Sequence, residues 1–247
     1  MPQPLPLPRQ PAVRAWLCAA ALVLAAAATA QATPAPAQAP QKIGIIGAGH
    51  IGGTLAALWV QAGHEVLISS RHPEELKALA TSLGPRARVG TPREAAAFSE
   101  VVLLSVPDKA LPEIGQQLRT ELAGKIVLDT CNPYPERDGP MAVAVRREGT
   151  GVSSPRLLPG VRLVRAFNAI GYRDLAHLAH RSGTPVAIPL AADDPSALAV
   201  AEQLVRDAGF VPVVVGPLSR AREFDVGTYP YTHVLTAPEL RQALGMH

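Results

Sequence analysis

At 247 residues, 48% apolar and 17% charged, the chain has the length and composition of a protein that buries a sizeable core. Its net charge of +3 falls to about +1 when Arg9 and Arg14 near the N-terminus are set aside, because 21 basic residues then face 20 acidic ones. Nucleic acid and membrane surfaces are thereby excluded as charge-driven partners. In chain order, residues 1–40 lack Asp and Glu. They place the two arginines before an apolar run over 15–28, then small-residue sites at Ala28-Thr29-Ala30 and Ala30-Gln31-Ala32. That order predicts a secretory signal peptide over 1–32 and a Pro/Ala-rich linker over 33–41. The run is shorter than the ~20 residues that cross a bilayer, so no span is expected after cleavage. The expected location is periplasmic or secreted, or cytoplasmic if the start is misassigned. The mature chain keeps one cysteine, Cys131, and so no internal disulfide.

From residue 42 onward, short β-branched runs alternate with longer amphipathic stretches, the pattern of βαβ units on a parallel sheet. Strands are predicted over 42–46, 65–69, 101–106, 126–129 and 163–167, then over 186–190 and 211–215. Helices are predicted over 51–62, where Leu55, Leu58 and Trp59 share a face, over 73–83 behind Pro73, and over 195–208 behind the Asp193-Asp194 cap. Residues 132–160, rich in Pro, Gly and Arg, read as a long loop with one helical turn at a sheet edge where α/β folds place ligands. The expected fold is α/β: a Rossmann-type, doubly wound, mainly parallel sheet over 42–170. A small C-terminal α/β extension over 171–247 completes a substrate cleft.

Gly47-Ala48-Gly49-His50-Ile51-Gly52 follows the first strand and opens the first helix, the context in which a G-x-G-x-x-G run signals a dinucleotide. Gly47 permits the turn, Gly49 lets backbone approach a pyrophosphate, and Gly52 lets helix pack on strand. The second strand ends in Ser69-Ser70-Arg71-His72, without the carboxylate that would bond the 2′-hydroxyl of NAD. Two hydroxyls and a guanidinium suit the 2′-phosphate of NADP(H) instead. Ser105, Val106 and Pro107 end the third predicted strand, beneath the nicotinamide-side ribose of a Rossmann chain. Asn132 and Asn168 follow the next two strands, and each is open to two readings, loop bracing or contact with nicotinamide or substrate. Asp129 is equally open between bracing and a cofactor role. No metal-ligand spacing or hydrolase triad is present. His177 and His180 read as surface residues and Cys131 as an inert buried thiol. Hydride transfer needs orientation more than acid or base groups, so Asn168 is the one catalytic candidate.

These residues, with Asp129 to Pro133, Arg165-Ala166-Phe167-Asn168, Gly216-Pro217-Leu218 and Ala221-Arg222, resemble the NADP oxidoreductases typified by NADPH-dependent reductases of the deazaflavin coenzyme F-420. That family's cofactor domain is also found in eukaryotic metalloreductases. The likeness runs from Lys42 to Leu244. It implies that Ala48, Gly49, His50, Ile51, Ser70 and Arg71 bind the NADP phosphates, and that Ser105 and Val106 line ribose and nicotinamide. It also implies a cleft against the C-terminal portion for a small-molecule redox acceptor, with F-420 or a flavin as co-substrate. A homodimer is compatible with it. Characterised deazaflavin reductases are cytosolic, and the export signal departs from that pattern. The alternative is an exported NADP-binding module without turnover, or the cofactor-binding part of a metalloreductase-like system.

Overall fold

A computed structural model describes Met1, Gln3 and residues 39–246, so the expected signal peptide, apart from Met1 and Gln3, and residues 33–38 of the expected linker lie outside the described residues. Residues 38–247 form one compact unit. Eight strands, β1 (Lys42–Ile46), β2 (Glu65–Ser69), β3 (Ala87–Gly90), β4 (Val101–Leu104), β5 (Ile126–Asp129), β6 (Arg162–Arg165), β7 (Ala187–Ala192) and β8 (Val211–Gly216), form one sheet. Its order is β3-β2-β1-β4-β5-β6-β7-β8, and every neighbouring pair is parallel except β6 with β7. The order of strand addition reverses between β1 and β4, so their carboxyl ends open the crevice in which doubly wound sheets bind ligands. Arg165, the last residue of β6, pairs with Ala191, so Ala187 to Leu190 rise past that carboxyl edge as a wall.

The helices are α1 (His50–Gln61), α2 (Lys77–Leu83), α3 (Pro92–Phe98), α4 (Leu111–Gln117), α5 (Arg119–Leu122), α6 (Pro135–Asp138), α7 (Pro140–Glu148), α8 (Thr150–Leu157), α9 (Tyr172–Leu178), α10 (Pro195–Asp207) and α11 (Ala237–Ala243). They cover both faces, which is why the strands are apolar at nearly every position rather than at alternate ones. On one face Ile43, Ile45, Leu103 and Leu128 pack against Leu55 and Trp59 of α1, and the Trp59 indole donates to the Leu204 carbonyl of α10 at 2.9 Å. On the other, Ile46, Val102, Leu104 and Val127 meet Leu111 and Leu122. Asp194 caps α10 by accepting from the amides of Ser196 and Ala197, the role its position before Pro195 predicts.

Three expectations change. The 132–160 segment is helical for most of its length, as α6, α7 and α8. Pro135 and Pro140 occupy first-turn positions where a missing N–H does no harm, and Gly139 (φ 71°) and Gly149 (φ 93°) supply the left-handed joints between helices. Proline and glycine here punctuate helices instead of preventing them. The strand expected over 101–106 stops at Leu104, because Ser105 turns to pass beneath Gly47. The stretch expected as one helix over 73–83 begins as a 3₁₀ turn, Pro73–Leu76.

Candidate functional site

β1 ends against a turn built by two glycines. Gly47 has φ 99°, and a Cβ there would stand 2.3 Å from the Ser105 carbonyl oxygen; one at Gly52 would stand 2.1 Å from that of Gly47. The Gly47 and Ala48 amides both donate to the Ser69 carbonyl, at 2.9 and 3.1 Å. Gly49 differs: a Cβ on it would meet nothing within 4 Å. No side chain caps α1 and no acid lies in its first turn, so its first amides and the positive end of its dipole are left for an anion. Open space at Gly49 and uncapped amides fit a dinucleotide pyrophosphate.

At the end of β2, Ser69 is corrected from a direct ligand to a scaffold residue. Its side chain is fully buried and donates to the Ile45 carbonyl at 2.8 Å, so it holds the turn rather than facing a ligand. The Ser70 hydroxyl accepts from the His72 amide at 3.0 Å, and the exposed Arg71 lines a cavity of about 520 Å³ with Val106, Pro107, Lys109 and Arg137. A second cleft, also of about 520 Å³, has Gly49, His50 and Ile51 on one side and Asn132, Tyr134, Asn168 and Tyr231 among its other lining residues. Ser105 lines only the second, whereas Val106, Pro107 and Arg137 line both. Gly52 stays behind the turn as packing, as its spacing predicts.

The second cleft has aromatic walls. His50 stacks on Tyr172 with centroids 4.6 Å apart, and the hydroxyls of Tyr134 and Tyr231 are hydrogen-bonded to each other. Phe167 is locked edge-on between Trp59 and Phe210, at 6.2 and 6.4 Å, and holds φ 58°, a strain of roughly 1–3 kcal/mol for a non-glycine residue. The next residue, Asn168, lines the cleft. Asn132 donates to the Asn168 carbonyl at 2.8 Å, and Asn168 to the Phe224 carbonyl at 3.3 Å. Both residues brace loops through Nδ2, yet both Oδ1 atoms are buried and, among the described residues, unpartnered. A ligand amide could satisfy these acceptors.

Beneath lies a charge cluster invisible at the level of motifs. Arg165 is completely buried, pairs with Asp129 at 2.9 Å and Asp225 at 3.3 Å, and donates to the carbonyls of Asp129 and Cys131. Asp129 Oδ1 accepts from the Cys131 amide at 2.8 Å, so Asp129 is a loop brace. Burial, reinforced by Asp129, pushes the Cys131 thiol well above its ordinary pKa, which rules it out as a nucleophile. Asp108, in the 3₁₀ turn after Pro107, is 1% exposed with neither carboxylate oxygen partnered among the described residues. Burial first, then Asp129, raise its pKa to about 6. Arg137 carried no motif; Nε and Nη2 grip the Asp138 carboxylate at 2.9 and 2.8 Å. Burial pushes Asp138 up, but Arg137 and the Tyr134 amide prevail and lower it. His177 and His180 are both exposed, the second beyond the end of α9 with φ 54°, so they share no face.

Known proteins resemble this chain. Residues 42–133 match the family described as NADP oxidoreductase coenzyme F420-dependent. The metalloreductase STEAP3 of Rattus norvegicus is 30% identical over 188 residues, 76% of this chain, which spans about a third (36%) of that relative's length. Among solved structures, protein SMa0349 of Sinorhizobium meliloti is similar with a TM-score of 0.70 and 24% identity over 80% of this chain and 96% of its own. A protein of Arthrobacter sp. FB24 named for F420-dependent NADP reduction gives 0.62 and 23% over 74% and 87%. The structures share the Rossmann-like fold. The segment that bears the glycine turn, the β2 end and the Ser105-Val106-Pro107 edge, residues 42–133, is thus the part of the chain similar to the NADP oxidoreductase, coenzyme F420-dependent, family, and its ligand is NADP(H).

Proposed function

We propose that the chain is an NADP-dependent oxidoreductase that binds the dinucleotide along the carboxyl edge of the sheet and passes hydride to a flat acceptor in the second cleft. The observation that carries this reading is that the two cavities share Val106, Pro107 and Arg137 as lining residues, with Arg71 lining the first and the orphaned Asn132 and Asn168 oxygens in residues that line the second. Ser70 and Arg71 hold the 2′-phosphate, and the amides of Gly49, His50 and Ile51 hold the pyrophosphate, while Ala48, its amide spent on the Ser69 carbonyl, shapes the turn. Ser105, Val106 and Pro107 support the ribose. Asn132 and Asn168 accept from the nicotinamide carboxamide and fix which ring face is presented. The bound cofactor supplies the hydride. The protein contributes position and exclusion of water, and the His50–Tyr172 stack and the Tyr134–Tyr231 pair give the acceptor ring, a deazaflavin or flavin, its aromatic walls.

Fluorescence titration should give NADPH an affinity at least about tenfold above NADH, and Arg71→Ala should erase most of that gap, since a charge-assisted contact is worth about tenfold or more. Equal wild-type affinities would sink the assignment of Arg71. Turnover with deazaflavin, flavin or ferric acceptors separates the enzyme from the second reading, a cofactor module in a metalloreductase-like system, to which the STEAP3 likeness gives a specific basis. The N-terminal pattern supports export of either form. Cell fractionation reads that out, and a wholly cytoplasmic protein with an intact N-terminus would refute it.

A further inference from the structure

Arg137 is held in a way that its salt bridge does not explain. It sits in α6, whose four residues lie between the Tyr134 backbone and Gly139, and its side chain is 41% exposed although its carboxylate partner Asp138 is fully buried. One edge of the guanidinium forks onto Asp138, and Nη2 also donates to the Asn132 carbonyl at 2.6 Å. The plane lies over the Tyr134 ring at 5.0 Å, and Lys109 fixes the Arg137 carbonyl at 2.9 Å. Nη1 bonds nothing among the described residues. A pre-oriented guanidinium whose two Nη1 N–H groups are unspent is an arrangement that recognises phosphate oxygens at low entropic penalty.

Its place in the site selects which phosphate. Of these two cavities, Arg71 lines the first and not the second, and His50 and Ile51 of α1 line the second and not the first. Arg137 lines both, with Val106 and Pro107. In a dinucleotide stretched between the two, the group at the junction is the pyrophosphate. Resting on the cofactor placement proposed above, we infer that Arg137 is a second pyrophosphate contact, closing on the diphosphate from the wall opposite the α1 N-terminus. It therefore serves NADP(H) and NAD(H) alike, and the discrimination between them stays with Ser70 and Arg71.

The test titrates NADPH, NADH and adenosine 2′-monophosphate, which carries neither phosphate of the pyrophosphate, against wild type, Arg137→Gln, Arg137→Lys and Arg71→Ala. Arg137→Gln should weaken both dinucleotides by about tenfold or more with their ratio unchanged, and the 2′-monophosphate by less than about threefold. Arg137→Lys keeps a cation beside Asp138, so its fold is secure. It should still lose affinity several-fold, because a single ammonium cannot grip Asp138 and a phosphate together. Wild-type affinity for both dinucleotides in the two variants would overturn the inference, as would a loss confined to NADPH or one seen only in the KM of the acceptor. A wild-type protein that binds no dinucleotide would overturn the cofactor placement itself.

Discussion

Asp108 is an ionisable group that the fold holds against its preference for water, and it sits one residue beyond the Pro107 edge of the cofactor site. Burial, Asp129 and Asp138 all favour its neutral form; Arg165 and Arg137 oppose them without prevailing. A carboxyl with a folded pKa of about 6 against 3.8 when free binds more protons in the folded than in the unfolded state between those values. Its contribution to stability is therefore greatest below pH ~4, falls as pH rises to about 6, and is flat above. Asp108→Asn should stabilise the protein by about 1–3 kcal/mol at pH 7.5, measured by urea unfolding, and the gain should vanish near pH 4. A constant difference at both pH values would mean that Asp108 does not titrate in this window. Nothing in the sequence marks this residue, since an Asp after Pro reads as an ordinary helix start; its character comes from burial and then from Asp129, brought beside it by another strand.

At the scale of elements, β1, the glycine turn and α1 separate folding from binding. Gly52→Ala places a methyl 2.1 Å from the Gly47 carbonyl and should melt the turn at a loss of about 2 kcal/mol or more, read as a lower urea midpoint. Gly49→Ala meets nothing within 4 Å and has ordinary φ, so stability should hold or rise slightly while NADPH affinity falls at least tenfold. Equal effects of the two changes on stability would refute that division. The same elements show where local sequence suffices. β1, β2 and α1 are legible because apolar runs, a glycine spacing and a helical face coincide within 28 residues, 42–69. β3 escapes because Ala87-Arg88-Val89-Gly90 is a short edge strand with no apolar run, although the Thr91–Glu94 capping box after it marks α3. The helices of 132–160 escape because α8 carries Pro155 inside it and is held by tertiary contact: a Cβ at Gly151 would stand 1.7 Å from the Leu218 carbonyl. Arg137 escaped with them, hidden in a segment that composition alone assigns to loop.

At the scale of the molecule, Arg165 ties the tail of the chain to the cofactor edge. Its guanidinium comes from β6, one counter-charge from β5 and the other from Asp225, 60 residues later, which also accepts from the Thr150 amide at 2.9 Å and hydroxyl at 2.6 Å. No motif could announce a cluster whose members meet only when the sheet closes. Because Arg165 has no exposed surface, removing one carboxylate leaves a buried cation half-compensated and strands the α8 amide as well. Asp225→Ala should therefore cost about 3 kcal/mol and lower the melting temperature by about 6–12 °C in a single transition, since residues 38–247 form one unit on one sheet. Asp225→Asn, which can still accept from Thr150, should lose less. Two resolved transitions, or no drop, would show that the tail is energetically separate. The binding consequence follows from the same bonds. Arg165 holds the Cys131 carbonyl next to Asn132, and Asn168 leans on the Phe224 carbonyl next to Asp225, so loosening the tail frees both amide acceptors of the cleft. NADPH at a hundred times its Kd adds about 2.7 kcal/mol to the folded state, so saturating cofactor should restore most of the lost melting temperature in Asp225→Ala, at an NADPH concentration several-fold above that needed by the wild type.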